Sequence, residues 1–499
     1  MAAASLVLVG FMGAGKSSAL DGVLDTDSLV EDQLGMSIAS YFAAYGEAKF
    51  RRREESVVLR ALRSGAPVVA LGGGSLGSDA VRAALLEHTV VWLQVSPETA
   101  WERAVGGDRP LAADRDAFLA LHAEREPVYA AAADAFLPEG DRGLVGRALP
   151  ALRALAGTPR GTKLIWAHSA GGEYPVYVGR QIAGAVLPGA DGGRAYLVTD
   201  EHVGPLHAAR MRGTHHAITI AAGEEHKTLL SAERVWRELA REGMGHGDHV
   251  VALGGGVVGD LAGFCAATYQ RGVAVVQVPT TVVAQVDSAY GGKTGVDLPE
   301  AKNYVGAYHQ PSAVVTDVET LSTLPPEELA AGYAEVLKTA LIAGGALWER
   351  VAQGVQVDER IVLECARCKL AVVAADERDG GVRQLLNLGH TVGHAIETAT
   401  GYRRYRHGEA VALGLLAALR LSDAGDLREQ VGELLRDAGL PTRLQGAEPA
   451  TVVAATRMDK KRRGAEVPFV LVRAPGDVRH GQRVAPDALL AAVTELCTE

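Results

Sequence analysis

Ser5-Leu6-Val7-Leu8-Val9-Gly10-Phe11-Met12-Gly13-Ala14-Gly15-Lys16-Ser17 joins an apolar run directly to the pattern G-x-x-x-x-G-K-S. A short apolar run bounded by glycine reads as a buried parallel strand. The loop after it suits phosphate. Its glycines let backbone N–H groups face the phosphates, Lys16 reaches the β- and γ-phosphates, and Ser17 holds Mg2+. Gly13, Ala14, Gly15, Lys16, Ser17 and Ser18 are therefore expected to bind nucleotide. The motif alone says no more than NTPase or kinase.

Outward from this loop, residues 67–74 (PVVALGGG) and 88–95 (HTVVWLQV) are further apolar runs, with helical periodicity over 47–63 and 115–134. Strand, loop and helix in alternation predict an α/β domain, a three-layer phosphate-loop unit on a parallel sheet, over 1–155. Glycine, proline, serine and threonine without periodicity mark 156–172 as a linker. A second strand series follows: VYVG, AYLVTD, HHAITI, HVVALGGG and VAVVQVPTT. Past Leu324-Pro325-Pro326 the period turns helical and Ala, Leu and Glu dominate. The second half is thus a Rossmann-like α/β subdomain over 173–325 followed by an α-helical subdomain over 326–499.

The chain has 499 residues, enough for several domains, and a net charge of −10, which argues against nucleic acid or an anionic membrane as partner. Gly is abundant, at 59 residues, as expected where backbone closely approaches ligands. Cys265, Cys365, Cys368 and Cys497 are too few for a disulfide framework. Cys365-x-x-Cys368 reads as two small residues on a helix, since no second pair supports zinc. No apolar run spans a membrane and no signal peptide precedes the loop, so small-molecule chemistry in the cytoplasm is expected.

Two constellations in the second half carry chemistry. Gly254-Gly255-Gly256-Val257-Val258-Gly259-Asp260 follows an apolar strand, as a dinucleotide loop does, although tight helix-on-strand packing would also ask for glycine. His390 and His394 lie four apart and share a helix face; His407 follows and Glu335 lies upstream. Imidazoles and a carboxylate converging from separate helices make an open zinc site. Any one of these histidines alone would more often be a satisfied core or surface residue.

Asp25-Thr26-Asp27, Phe50-Arg51, Gly72-Gly73-Gly74, Arg109-Pro110-Leu111 and Arg125 with Tyr129 follow the order and approximate spacing of shikimate kinases, which residues 5–150 resemble. The resemblance implies ATP with Mg2+ as donor. Asp27, Arg51, Gly73, Gly74 and Arg125 would hold shikimate, Asp25 would join Ser17 near Mg2+, and Arg109 on a lid would close over the transferring phosphate. Shikimate kinases carry a longer helix after the loop. Here only Ser18 to Leu24 precede Asp25, about two helical turns with nothing left for a strand.

Residues 173–475 resemble 3-dehydroquinate synthases. Gly223-Glu224-Glu225-His226-Lys227, the GGGVVGD loop, Tyr269-Gln270-Arg271-Gly272, Pro279-Thr280-Thr281, Asp287, Gly291-Gly292-Lys293-Thr294, Lys302-Asn303, Glu335 with Lys338, Lys369, Arg383 and NLGHTVGHA occur in family order. The resemblance implies that Glu335, His390 and His407 bind Zn2+ (or Co2+) and that His394 transfers a proton near the substrate phosphate. NAD+ would contact Glu224, Lys227, Gly255, Gly256, Val257, Asp260, Thr280, Thr281, Lys293 and Lys302. Lys293, Asn303 and Arg271 would grip the phosphate, Arg271 reaching in from the second subunit of a homodimer. Lys369 and Arg383 would take the carboxylate, Lys338 and Asn387 would join the catalytic set, and in Lys460-Lys461-Arg462-Arg463 a basic pair would close on the substrate, with a solvated basic turn as the alternative.

A metal-dependent polyol dehydrogenase would use the same loop and histidines but needs no anion grip. A cyclase acting on a sugar phosphate without a carboxylate would not need Lys369 and Arg383. For the first half, the rival is a degenerate, regulatory nucleotide-binding domain.

Overall fold

In the computed structural model, which describes residues 4–105, 114–185, 193–456 and 467–498, the run after Ser5 forms strand β1 (Leu6–Val9), and the phosphate loop leaves its end. The chain divides into two units, residues 1–167 with 175–177 and residues 168–174 with 178–499. Arg109 and the basic run at 460–463 lie outside the described residues.

In the first unit, β2 (Leu24–Asp25) pairs in parallel with β3 (Val68–Ala70), β3 with β1, and β1 with β4 (Thr89–Leu93). Beyond β4 come β5 (Ala135–Leu137) and β6 (Lys163–Ser169). Every residue of β4 is buried, which requires cover on both faces of the sheet, as parallel sheets demand. The helices Thr26–Leu34, Ile38–Tyr45 and Glu47–Arg63 close a satellite core around Val30, Phe50 and Val57. Asp25 and Ser37 cap the first two of these helices, so their starts are written in the sequence.

Two expectations change here. The stretch 156–172 is no bare linker, because Leu164 and Ile165 of β6 pair with Ala135 and Phe136. Its apolar LIWA is short, and the surrounding glycines and prolines mask it. After the phosphate loop it is the helix that is missing, not the strand. Only a 3-10 turn forms at Lys16–Ser18, Gly22 turns back at φ 74°, and Leu24-Asp25 still pairs with Val69-Ala70.

β7 (Gly172–Gly179) leads into the second unit. There β8 (Ala195–Asp200), β9 (Thr214–Ile220), β10 (His249–Gly254), β11 (Ala274–Pro279) and β14 (Ala313–Asp317) form a parallel sheet in the order β14–β11–β10–β8–β9. Val250, Val258, Leu261 and Val275 are among its packed core. Between β11 and β14, β12 (Lys293–Leu298) and β13 (Ala301–Tyr308) form an antiparallel hairpin outside the expected strand series. Past Pro325 the structure is helical, as expected, but β15 (Phe469–Ala474) and β16 (Asp477–Gln482) add a second hairpin. Among the described residues no helix is long and apolar enough to cross a membrane. Cys365, on the helix Glu359–Ala375, is buried, and all four cysteines are unpaired.

Candidate functional site

The first unit builds its site from backbone. Gly10, Gly13 and Gly15 take φ of 145°, 87° and 82°, the left-handed side that glycine alone enters cheaply. A side chain at Gly10 would also run into the Leu93 carbonyl. Lys16 Nζ donates to the carbonyls of Gly10 at 2.8 Å and Phe11 at 3.1 Å, so it lies folded across the loop. Arg103 Nη1 donates to Gly13 O at 2.9 Å. Ser17 and Ser18 are exposed at the loop's exit. Asp25 accepts from Asp27 N at 2.8 Å as a helix cap, so its carboxylate already has a structural duty.

The expected shikimate residues meet around Gly72–Gly74. A Cβ at Gly72 would fall within 2.7 Å of Glu54 Oε1 and closer still to Asp27, and one at Gly74 would strike Arg51. Arg125 Nη1 donates to Gly73 O at 3.2 Å, and Tyr129 Oη donates to the same carbonyl at 2.5 Å. Burial pushes the Tyr129 phenol up to about 12, so it remains a donor. Arg51 is anchored by Glu54, 2.7 Å from Nη1, and Glu54 is held by Ser75 Oγ at 2.9 Å. Glu54 was missed in the sequence; its signal was its place three residues beyond Arg51 on one helix.

In the second unit, a cleft of about 2000 Å3 collects most of the remaining candidates. Gly255 and Gly256 line it at the start of the helix Gly256–Thr268, next to Thr280 and Thr281. These glycines serve close approach: a Cβ at Gly255 would come 2.9 Å from Thr281 Cγ2, and one at Gly256 would come 3.1 Å from Ser288 Oγ. Lys227 is buried, with Nζ 3.1 Å from both Glu224 and Asp260 and 3.9 Å from Asp297. Burial opposes its charge, but Asp260, Glu224 and Asp297 more than offset this and raise its pKa. Asp297 also accepts from Asn303 N at 2.7 Å and so holds Asn303 at φ 56°.

Glu335 projects from the helix Pro326–Ala343, His390 begins the helix His390–Ala399, and His407 begins the helix His407–Leu421. Glu335 Oε1 lies 3.4 Å from His390 Nε2 and 3.3 Å from His407 Nε2. Although buried, neither carboxylate oxygen of Glu335 has a well-aligned hydrogen bond. Two imidazoles and such a carboxylate, with donor atoms all within 4.8 Å of one another, fit a divalent ion such as zinc. Burial opposes ionisation of Glu335, yet Lys338 and His390 hold its pKa well below the usual range. The His394 ring centre lies 5.3 Å from that of His390 and 5.9 Å from that of His407.

The anion-binding candidates Lys293, Asn303, Lys369 and Arg383 line the same cleft, as do Lys302 and Val257 of the NAD+ set and Asn387. Lys338 is buried behind it, bonded to Asp287 Oδ2 at 2.6 Å, and Lys369 donates to Asp287 O at 2.6 Å. Lys293 Nζ lies 2.6 Å from Asp379, and Arg383 Nη2 donates to Gly291 O at 3.2 Å. Arg271 is not among the lining residues; it stands exposed on the turn Tyr269–Arg271, at φ 69°. Glu397 and Asp297, which sequence reading passed over, join the site through tertiary contacts. Glu397 did have a local signal, since 390, 394 and 397 share one helical face.

The chain matches the family models for shikimate kinase over residues 12–144, 3-dehydroquinate synthase N-terminal over 217–331 and 3-dehydroquinate synthase C-terminal over 332–462. It is 44% identical over 348 residues to the 3-dehydroquinate synthase of Halorhodospira halophila (strain DSM 244 / SL1), covering 66% of this chain and 98% of that protein. It is 45% identical over 345 residues to that of Symbiobacterium thermophilum, covering 63% and 96%. Among solved structures, 2-epi-5-epi-valiolone synthase from Streptomyces hygroscopicus subsp. jinggangensis 5008, with NAD+ and Zn2+ bound, superposes with a TM-score of 0.59 at 27% identity. The match covers 66% of this chain and 99% of that one.

Proposed function

This chain belongs to the 3-dehydroquinate synthase family and carries a shikimate kinase domain ahead of it, and from that premise we propose how its own residues divide the two reactions. The synthase half, 173–499, converts 3-deoxy-D-arabino-heptulosonate 7-phosphate to 3-dehydroquinate and phosphate. The observation that carries this is one cleft lined by the Glu335–His390–His407 cluster, the Gly255–Gly256 loop and the cationic side chains of Lys293, Lys302, Lys369 and Arg383.

NAD+ lies along Gly255, Gly256, Val257, Thr280 and Thr281, with Glu224, Lys227, Asp260, Lys293 and Lys302 around it; Glu335, His390 and His407 hold the zinc. When bound, the two groups supply reversible hydride acceptance and a Lewis acid for a carbinol oxygen. Lys293 and Asn303 hold the phosphate, and Lys369 and Arg383 the carboxylate, with Asn387 lining the same wall. His394 is placed to move a proton at the phosphate end. Lys338 keeps Glu335 and Asp287 ionised, so the charges are arranged before substrate arrives. Arg271, exposed and off its own cleft, completes the phosphate grip of a partner in a homodimer. A polyol dehydrogenase would have no use for Lys369 and Arg383.

In the kinase half, 1–155, Gly13 to Ser18 cradle ATP, Ser17 and Asp25 hold Mg2+, and Asp27, Arg51, Gly73, Gly74 and Arg125 hold shikimate. Arg109 acts as the lid. The trimmed segment after Ser18 favours a second reading, a regulatory nucleotide-binding domain without turnover. We place both reactions in the cytoplasm, supported by the unpaired cysteines.

Both readings are tested on the purified whole chain, with phosphate release assayed with NAD+ and Zn2+, and ATP turnover assayed with shikimate. Glu335→Gln is expected to abolish only the first and Lys16→Met only the second. ATP binding without shikimate-dependent turnover would establish the regulatory reading.

A further inference from the structure

Glu397 is a carboxylate only 3% exposed, and no step assigned above uses it. Burying a carboxylate is costly unless hydrogen-bond donors or cations face it. Two do, and they belong to different functions. One carboxylate oxygen, Oε1, lies 3.5 Å from His407 Nδ1 and 3.5 Å from Lys302 Nζ.

The His407 side has a clear logic. Its other nitrogen, Nε2, lies 3.3 Å from Glu335 Oε1. His390 is set the same way, with Nε2 at 3.4 Å from Glu335 and Nδ1 at 3.1 Å from the Leu388 carbonyl. Both imidazoles therefore turn Nε2 toward the shared centre and Nδ1 toward an acceptor behind, the arrangement that fixes the tautomer and plane of a metal-ligating histidine. The Lys302 side is equally built. Lys302 Nζ sits 4.5 Å from the centre of the Tyr402 ring, and Tyr402 Oη lies 3.0 Å from Thr398 Oγ1, the residue after Glu397. Lys302, carried by the β12–β13 hairpin, thus rests on the end of the helix that carries His390, His394 and Glu397.

We propose that Glu397 is a positioning residue that couples the two cofactor positions: it orients His407 toward the metal and seats Lys302 on the dinucleotide side, so that filling one position tightens the other. This rests on the assignment of Glu335, His390 and His407 to zinc and of Lys302 to NAD+. Such coupling is reciprocal by linkage.

The test uses the full chain stripped of metal. Zn2+ affinity is measured by competition with a chromophoric chelator, NAD+ affinity by calorimetry with and without Zn2+, and ligand geometry by the visible absorption of the Co2+-loaded protein. In the wild type, Zn2+ is expected to tighten NAD+ by at least about fivefold. Glu397→Ala is expected to weaken Zn2+ by about 10- to 100-fold and to erase the effect of metal on NAD+. Glu397→Gln is nearly isosteric and decides the matter should the alanine variant fail to fold. It keeps an acceptor for His407 but no charge for Lys302, so Zn2+ affinity and the Co2+ spectrum should stay close to wild type while the effect on NAD+ is lost. Wild-type Zn2+ affinity in Glu397→Ala overturns the inference, as does NAD+ affinity in the wild type that ignores metal. Glu397→Gln losing metal as fully as Glu335→Gln also overturns it, since His394, Glu397 and His407 would then be a ligand set themselves. In the first two cases the zinc assignment to Glu335 stands, and in the third Glu335→Gln keeping its metal would move the site to the second cluster; a wild type that takes up no zinc sinks both readings.

Discussion

Each unit has a glycine loop at the end of a buried strand, and the two use glycine for opposite reasons. In the first, Gly10, Gly13 and Gly15 hold left-handed backbone, at φ of 145°, 87° and 82°, and Gly15 has nothing within 4 Å of where a Cβ would be. In the second, Gly255 has an ordinary φ of −74°, and a neighbouring side chain, Thr281, leaves no room for a Cβ. One loop is dictated first by conformation, with packing added at Gly10, and at Gly255 the other is dictated by packing alone. A conformational glycine cannot be replaced by any L-residue without strain. A packing glycine can be rescued by trimming its neighbour.

Three glycine substitutions break or sharpen that contrast. Gly10→Ala meets both obstacles, positive φ and the Leu93 carbonyl. A loop displaced by about 1 Å should lose about a hundredfold in shikimate-dependent ATP turnover, with synthase turnover unchanged as the internal control. Gly255→Ala should raise the NAD+ KM about tenfold, in line with an overpacking cost of about 1–3 kcal/mol, and adding Thr281→Ser should recover most of it. No second substitution should recover Gly10→Ala, and finding one would erase the distinction. Gly15→Ala meets open space, so only left-handed strain remains; it should cost about 1–2 kcal/mol in urea unfolding of the first unit.

The smallest effect concerns the residue before β10. Burial opposes ionisation of Asp248, yet the Arg194 side chain and the backbone N–H groups of Gly245 and Arg194 hold its pKa down to about 2. A depressed carboxylate contributes stability that is fully present above its unfolded pKa, 3.8, and lost as pH falls through 2. Asp248→Asn should therefore lower the second unit's stability at neutral pH and flatten its decline over that acid window, as seen in pH-dependent urea midpoints.

Both loops and the His390–His394 pair were legible in the sequence because their chemistry is local, whereas Glu335 and His407 arrive on separate helices and were assigned as ligands through the family resemblance. A lysine after glycines, or two histidines four apart, meets by backbone geometry alone. Glu54 and Glu397 were half legible: helical spacing placed them beside Arg51 and His394, but nothing in the sequence said which face was buried. Asp297 was not legible at all, since the cation it faces, Lys227, comes from an element 70 positions earlier in number. β6 was lost for a different reason, because a short buried strand flanked by glycine has too little pattern to outvote its surroundings. The trimmed segment after Ser18 was seen as an anomaly, but the surviving two-residue strand showed only in its pairing with β3.

That trimming has an electrostatic consequence. A full helix behind a phosphate loop adds roughly half a positive charge from its aligned peptide dipoles, fixed in the backbone and close to the anion. Three residues of 3-10 turn at Lys16–Ser18 cannot sum to such a macrodipole. Attraction for the triphosphate then rests on the loop's own N–H groups and on the half-buried Lys16, whose charge mobile ions screen within a Debye length of about 8–10 Å to the extent that water reaches it. Nucleotide affinity in the kinase half should accordingly fall with added salt more than it would behind a full helix.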